Sequence, residues 1–299
     1  HNHTTASDGD HTPIKLVQRH KQHGVRLMAI TDHDTIEGFF QLKQSDIPTN
    51  VTVIPGVELS VSSIVDGKKH HLLALFPKYA IGCSNNYIEF DSKQFKFEVT
   101  QTSQFSDLQN FSDSLNVMRK ARIERSKNYF EKLNEIYNLN LDFNEFCVDN
   151  QINMENFTSE ASIGRPLIAK YLVKKGIITC SDEAFGKYLS DDSPAYQALP
   201  KVELEEMIEI VNKIGGMCFI AHPKLWGYDE QSMQKHLESA FKAGLTGIEK
   251  WHSVCTYEYD CIGTMGSDFH GPTVHPDVEV GKYQNNTITG EDIQKLLHC

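Results

Sequence analysis

Val25-Arg26-Leu27-Met28-Ala29-Ile30-Thr31-Asp32-His33-Asp34-Thr35 is the stretch on which the fold turns. Its first half is a short apolar run, the pattern of a buried strand. Its second half changes at once to charged and titratable residues. Upstream, Thr12-Pro13 opens a helix through Ile14, Leu16 and Val17 that Gly24 stops. A hydroxyl N-cap, a proline at the first helical position and a glycine just past the end mark both termini. Downstream, Thr35 to Gln44 reads as a short helix, Val51 to Leu59 as a β-rich stretch broken by Pro55-Gly56, and His71 to Phe76 as another strand. Alternation at this spacing predicts βα units around a mostly parallel sheet or barrel.

The alternation is interrupted and then resumes. Residues 82–115 are rich in Ser, Asn, Gln, Asp and Phe without a sustained period, and are expected to form a long, partly irregular surface insertion. Residues 116–137 read as a basic amphipathic helix, with Val117, Ile123, Phe130, Leu133 and Ile136 interleaved with Arg119, Lys120, Arg122, Arg125 and Lys127. Residues 140–200, including a helix from Pro166 to Lys175, suggest a helical cap. Helices over Val202 to Ile214 and Gln231 to Ala243 then alternate with strands at Met217 to Ala221, Gly247 to Trp251 and Ile262 to Ser267. The expected division is a discontinuous barrel of residues 1–80 and 201–299, with an insertion over 81–200.

Composition narrows the function. The 299 residues are 39% hydrophobic and 23% charged, the balance of a folded domain rather than a disordered chain. Lys and Arg number 29 against 40 Asp and Glu, a net charge of −11. A duplex-DNA binder needs a basic face, so none is expected here. The cysteine count is odd, at 7, and no C-x-x-C pair occurs. Reduced thiols and a cytoplasmic location are therefore expected. No apolar run reaches membrane-spanning length, so no membrane partner is expected, and no obligate protein partner is evident.

The 14 histidines are the informative residues. His33, Glu58, His222, Asp268 and His270 each fall in or just after a predicted strand. His1 and His3 would do the same if a strand preceded residue 1. Active sites of parallel barrels are built at the carboxyl ends of the strands. Singly, each has a bland alternative: Thr31 to Thr35 an Asx turn and N-cap, Ala221-His222-Pro223 a strand-end turn, Gly266 to Gly271 a loop. Together they form the imidazole and carboxylate set of a metal hydrolase. His11, His20, His23, His236, His252, His275 and His298 read as helix-surface or loop residues.

These segments resemble the motifs of the PHP (polymerase and histidinol phosphatase) superfamily. His1-Asn2-His3-Thr4-Thr5-Ala6-Ser7-Asp8-Gly9 is similar to its first motif, and Ile30 to Thr35 to its second. Ile54 to Ser60 with His71-Leu72-Leu73 is similar to the third, and Ala221-His222-Pro223 and Gly266 to Pro272 to the closing motifs. Ile163-Gly164-Arg165-Pro166 and Ser193-Pro194-Ala195-Tyr196 resemble the helical insertion of the branch with 3′,5′-nucleoside bisphosphate phosphatases and a 5′–3′ exoribonuclease. The resemblance implies an α/β fold, a distorted (β/α)7 barrel with an inserted helical cap, whose first strand would precede residue 1.

It also implies a site. His1, His3, Glu58 and Asp268 would hold one ion. Glu58, as a bridging carboxylate, would share a second with His71 and His222. Asp8, His33 and His270 would hold a third. His71 rather than its neighbour His70 directly precedes the Leu-Leu strand. The ions would be divalent, two or three in number, manganese first and zinc or iron as alternatives. Asp268, His222 and Glu58 are the expected catalytic residues, acting through a metal-activated hydroxide. Arg165, Lys224 and Asp34 are the expected substrate contacts, with Asp32 and Asp34 also placed to orient ligands. The implied substrate is a nucleotide, such as a 3′,5′-bisphosphonucleotide, or short RNA. A small phosphomonoester such as histidinol phosphate and a non-catalytic binding module are the alternatives.

Three departures from the family pattern stand out. Leu167 replaces a histidine after Gly-Arg-Pro. Lys224-Leu225-Trp226 follows Pro223 where Gly-Arg-Tyr is common. Only Thr256 to Met265 separates His252-Ser253 from Gly266.

Overall fold

The computed structural model describes residues 1–82, 87–89, 96–98, 106–155, 159 and 161–282. The elements in chain order are α1 (Pro13–Gln22), β1 (Leu27–Ile30), α2 (Glu37–Phe40), β2 (Thr52–Ser62), β3 (Lys69–Leu75), β4 (Tyr87–Glu89), β5 (Lys96–Glu98), α3 (Ser106–Ser114), α4 (Asn116–Tyr137), α5 (Phe143–Asp149), α6 (Arg165–Lys174), α7 (Ser181–Ala184), α8 (Leu204–Lys213), β6 (Met217–Ile220), α9 (Glu230–Lys242), β7 (Gly247–His252) and β8 (Ile262–Gly266).

Six strands form one sheet in the order β1-β2-β3-β6-β7-β8, and β4 pairs separately with β5. β1 runs parallel to β2, and β6, β7 and β8 are mutually parallel. β3 is the exception to the expected parallel sheet, antiparallel to both β2 and β6. The cause is the Asp66-Gly67 turn between β2 and β3, where Gly67 has φ +71° and its N–H donates to Ser63 O. A turn this short returns the chain antiparallel, where a parallel neighbour would need a crossover.

Residues 1–3 draw the sheet edges together. The Asn2 carbonyl accepts from Thr31 N–H beyond β1, and the Phe269 carbonyl accepts from His3 N–H beyond β8. Asn2 also forms a parallel bridge with Phe269. The sheet is thereby curled into a half-barrel with helices on its outside. α8 lays Leu204, Ile208 and Val211 on it, and α9 lays Met233, Leu237 and Ala240. Both sets recur at steps of three and four, the apolar stripe of a helix packed on one side. One core cluster joins these to Ile30, Val57, Leu72, Ile220 and Ile248.

A second cluster holds the cap together, around Tyr129, Phe130, Phe146, Ile168 and Leu172. The stretch expected to be irregular lies largely outside the described residues, but its end does not. α3 buries Leu108 and Phe111 in the barrel core. α4 corrects the amphipathic reading. Arg119, Arg122 and Arg125 are buried, whereas Val117 is 73% exposed and Ile136 44%. Arg119 and Arg122 point inward because partners for them, Thr35 and Asp34, lie elsewhere in the chain, which no local period records.

Candidate metal centre

Every strand end that curls inward delivers a ligand. His1 and His3 lie beside the exit of β8, and Asp8 on the loop that follows them. His33 lies after β1, Glu58 in β2, His222 after β6, and Asp268 and His270 after β8. His71 lies near the start of β3, not its end. Because β3 is antiparallel, its start is level with the carboxyl ends of its neighbours, and its pairing with Ser60 sets His71 beside Glu58.

Glu58 is the centre. Its Oε2 lies 3.2 Å from His1 Nε2, 3.2 Å from His3 Nε2 and 3.0 Å from His33 Nδ1. Its Oε1 lies 2.9 Å from His71 Nδ1 and 3.1 Å from His222 Nε2. Asp268 Oδ1 stands 3.3 Å from His1 Nε2 and 3.1 Å from His3 Nε2. Asp8 faces His270 Nε2 at 3.4 Å and His33 Nε2 at 3.7 Å. The nine residues expected to ligate lie in one contiguous cluster: eight of them fall in the groups His1-His3-Glu58-Asp268, His3-Asp8-His33-His270 and His33-Glu58-His71, and His222 joins through Glu58.

The donor chemistry fits divalent cations. His1 Nδ1 is held by Glu249 at 3.1 Å, and His270 Nδ1 by the Asp268 carbonyl at 2.9 Å. In a neutral ring those bonds take the N–H and leave the other nitrogen's lone pair on the carboxylate side, the arrangement a bound cation would complete. Both Asp8 oxygens, Glu58 Oε2 and His33 Nδ1 are buried with no hydrogen-bond partner. Leaving a buried charge unpaired costs about 3–5 kcal/mol, against a net stability of about 5–15 kcal/mol for a whole domain. Positive charge at the convergence points, from protonated rings or from bound cations, offsets these carboxylates.

Protons respond to the same field. Burial disfavours the charged form of His1, but Glu58, Asp268 and Glu249 outweigh it and raise its pKa well above the usual histidine value. Burial also opposes protonation of His270, yet Asp8 and Asp268 bring it up to about 9. Glu58 is held well below the usual carboxylate range, because His71, His1 and His33 outweigh the burial that would raise it.

Three site residues adopt left-handed backbone conformations: Asp34 at φ 50°, His222 at φ 32° and Asp268 at φ 52°. Non-glycine residues there carry strain, and such strain gathers at functional turns. Gly266 is needed for another reason. A Cβ on it would collide with Glu249 Oε1 and the His1 side chain. β8 can approach the first ligand only without a side chain at that position.

The ligand cluster opens into a cavity of about 490 Å3. Asp8, His33, His71 and His222 form its floor, and Arg122, Arg125, Arg165, Lys68 and Lys69 stand in its walls. Arg165 is there as expected, with Nη1 bonded to the Leu189 carbonyl and to Asp191. Lys224 is not. It is exposed and outside the lining, and Lys68 and Lys69 supply the ammonium groups instead. Asp34 is buried rather than free to meet a ligand. It accepts from Arg122 Nε at 2.8 Å and from Ser60 N at 2.7 Å, so it anchors the arginine that faces the cavity. Asp32, likewise buried, accepts from Thr4 N at 2.7 Å and Ser7 Oγ at 2.6 Å, fixing the loop between His3 and Asp8.

Sequence reasoning missed Glu249, Arg122, Arg125 and His252. Glu249 holds His1 and accepts from the His222 N–H at 2.7 Å. A lone carboxylate inside a buried strand was its signal, since buried charge demands a partner. His252 is 3% exposed, with Nε2 3.6 Å from Asp268 Oδ2, not on a surface loop. His20 and His236 are also buried, at 5% and 4%. His70 faces away from Glu58, stacked on Trp226 with ring centroids 3.6 Å apart.

No helix among the described residues is long and apolar enough to cross a membrane. The chain is 25% identical over 299 residues to a 5′-3′ exoribonuclease of Haemophilus influenzae, covering 94% of this chain and 92% of that protein. It is 23% identical to a 3′,5′-nucleoside bisphosphate phosphatase of Chromobacterium violaceum, covering 91% and 86%. A candidate metal-dependent phosphoesterase from Bifidobacterium adolescentis superposes with a TM-score of 0.71 at 23% identity, covering 99% of this chain and 94% of that one. The PHP domain model matches residues 1–174, more than half of the sequence. The chain belongs to the PHP domain family.

Proposed function

We propose that this chain is a divalent-metal-dependent phosphoesterase that hydrolyses nucleotide phosphate esters, with 3′,5′-bisphosphonucleotides or short oligoribonucleotides as substrates. The observation that carries this reading is one cavity with two opposite linings: a floor of Asp8, His33, His71 and His222, and walls of Arg122, Arg125, Arg165, Lys68 and Lys69. Its volume is in the range of small-ligand sites. The names of the exoribonuclease and bisphosphate phosphatase relatives support the substrate class.

His1, His3, Glu58 and Asp268 would hold one ion, Glu58, His71 and His222 a second, and Asp8, His33 and His270 a third. Divalent ions held this way make water a nucleophile near neutral pH and offset the charge of a phosphoryl group. The chain's own residues set the rest. Glu249 and the Asp268 carbonyl fix which nitrogen of His1 and His270 faces inward. Asp34 and Ser60 engage Nε and Nη2 of Arg122 at the cavity wall, which leaves Nη1 to donate to a phosphate oxygen. Lys69, bonded to Tyr196 Oη at 2.6 Å, adds a point charge at the rim. A small phosphomonoester such as histidinol phosphate would leave most of these wall cations without an anion.

The test is metal content by elemental analysis after manganese loading, then phosphate release from 3′,5′-bisphosphonucleotides and short RNA. We expect about two to three ions per chain, as in multinuclear hydrolases. Asp268→Ala should lose both metal and turnover. A chain that stays metal-free, or an Asp268→Ala variant as active as the parent, overturns the proposal.

A further inference from the structure

Successive residues of a strand face opposite sides, so His70 and His71 part company on β3. His71 meets Glu58, whereas His70 meets His236 of α9, with ring centroids 5.8 Å apart. Both rings are buried, at 8% and 4% exposure, and neither belongs to the catalytic cluster. The third member is Asp66, at the turn between β2 and β3. One donor atom from each of Asp66, His70 and His236 lies within 4.8 Å of the others, the spacing that one metal ion needs.

The surroundings aim these atoms. Asp66 Oδ1 accepts from Lys68 N–H at 3.0 Å, which leaves Oδ2 to face His236 Nε2 at 3.7 Å. His236 Nδ1 is bonded to Ser63 Oγ at 2.8 Å. Burial lowers the pKa of His236 in spite of Asp66 and Glu205, so the ring is neutral near neutral pH. Neither neutral tautomer joins Nε2 to Asp66. With the proton on Nδ1, two acceptors face each other; with it on Nε2, the gap exceeds hydrogen-bond reach. Two ligands of one tetrahedral zinc ion stand about 3.3 Å apart, given bonds of about 2.0–2.1 Å. A shared cation therefore closes the gap with little movement. Tyr228 Oη adjoins the set, 3.0 Å from His70 Nε2 and donating to Asp66. Lys68 Nζ, 3.9 Å from Asp66 Oδ2, competes for the carboxylate, but its side chain is 67% exposed and can turn to water.

We propose that Asp66, His70 and His236 form a second metal site, separate from the catalytic cluster, that takes one zinc ion with Tyr228 Oη or water as the fourth ligand. Two imidazoles and a carboxylate suit zinc better than magnesium or calcium. The ion ties the β2–β3 turn to α9. It also fixes one wall of the catalytic cavity, because Trp226 stacks on His70 and both line that cavity beside Lys68 and Lys69. The site requires nothing of the reaction, so it stands or falls apart from the phosphoesterase reading.

The test counts zinc by elemental analysis in the full chain, stripped with chelator, reloaded with zinc and dialysed. Asp66→Asn and His236→Gln should each hold one zinc per chain fewer than the parent. Asp66→Glu, which keeps a carboxylate, should hold as many as the parent. Glu58→Gln should keep this ion while losing metal from the catalytic cluster. Ser63→Ala leaves the three ligands in place and should weaken zinc binding at this site about 10–100-fold, the usual effect of removing a partner that orients a ligand. Equal zinc in the parent, Asp66→Asn and His236→Gln overturns the proposal and makes the cluster a hydrogen-bonded brace. So does a folded Glu58→Gln chain that holds no zinc. Asp66 lies on an exposed turn, so its variants decide the matter even if His236→Gln fails to fold.

Discussion

The floor and the wall of the cavity are opposite electrostatic problems. On the floor, the buried carboxylates Glu58, Asp8 and Asp268 face imidazoles and draw positive charge to themselves. In the wall, Arg122 has Asp34, but Arg125 has no ion pair or hydrogen bond among the described residues. The floor lacks cations and the wall lacks anions. Neither deficit is removed by folding alone, since folding could have supplied the missing partners from the chain. A phosphate ester brought in with divalent cations supplies both. The comparison teaches that the site is completed by its ligands, and each half can be broken separately.

The largest effect should come from the floor. Glu58→Gln keeps the shape and removes the charge on which His1, His3, His33, His71 and His222 converge. We expect bound metal to drop and turnover to fall by on the order of 10^3-fold, the upper range for removing one group that stabilises the reacting centre. Elemental analysis beside a phosphate-release assay checks this. Retention of full metal content would mean that Glu58 is not the bridging group.

The wall breaks at Asp34. Asp34→Asn suits the backbone, because asparagine tolerates the left-handed φ of 50° at this position. What it removes is the partner of Arg122, in a pair whose side chains are only 5% and 2% exposed. Breaking a buried pair from one side costs about 3–5 kcal/mol. Urea unfolding should show that loss. A change below about 1 kcal/mol would place the pair among weakly coupled surface bridges instead.

These two halves were unequally legible in the sequence. The floor could be read because its ligands end apolar runs: Leu27 to Ile30 leads into His33, and Met217 to Ile220 into His222. Strand ends are local features. The wall could not be read in the same way. Arg122 and Arg125 look like the solvated face of a helix, and only Asp34, distant in sequence, makes one of them a buried group. The direction of β3 was available from Asp66-Gly67, but regular alternation elsewhere argued for a parallel sheet. Leu108 and Phe111 sat in a polar, aperiodic stretch, so their place in the barrel core had no local signal.

Two buried histidines sharpen the point that partners, not burial, decide charge. His20 donates Nδ1–H to the Leu16 carbonyl at 2.9 Å, and burial lowers its pKa to about 4. His270, as buried, is brought up to about 9 by Asp8 and Asp268. For His20 the folded value lies below the unfolded 6.5, so the unfolded chain takes up the proton first as pH falls. Its contribution to stability is complete above pH 6.5 and is lost on going down toward pH 4, by about 3 kcal/mol in all. Urea midpoints of the parent and of His20→Gln, measured from pH 7 to pH 4.5, should converge as pH falls. Parallel curves would show that His20 titrates alike in the folded and unfolded chain, and that its burial does not oppose the charge.

The smallest expected effect tests what holds the floor in place. Glu249 accepts from His1 Nδ1 with one oxygen and from the His222 N–H with the other. Glutamine has one acceptor and one donor at its tip, so Glu249→Gln can satisfy one of these groups and must oppose the other. The ligands remain, but their aim is lost. Metal affinity should weaken about 10–100-fold, the usual consequence of removing a partner that orients a ligand. Excess manganese should restore turnover, because the ligand atoms themselves are unchanged. That rescue separates Glu249 from Glu58, whose loss no metal concentration repairs. Unchanged affinity would mean that Gly266 and the packing of β8 against His1 suffice to aim the ring, and that the carboxylate between them serves only the strand.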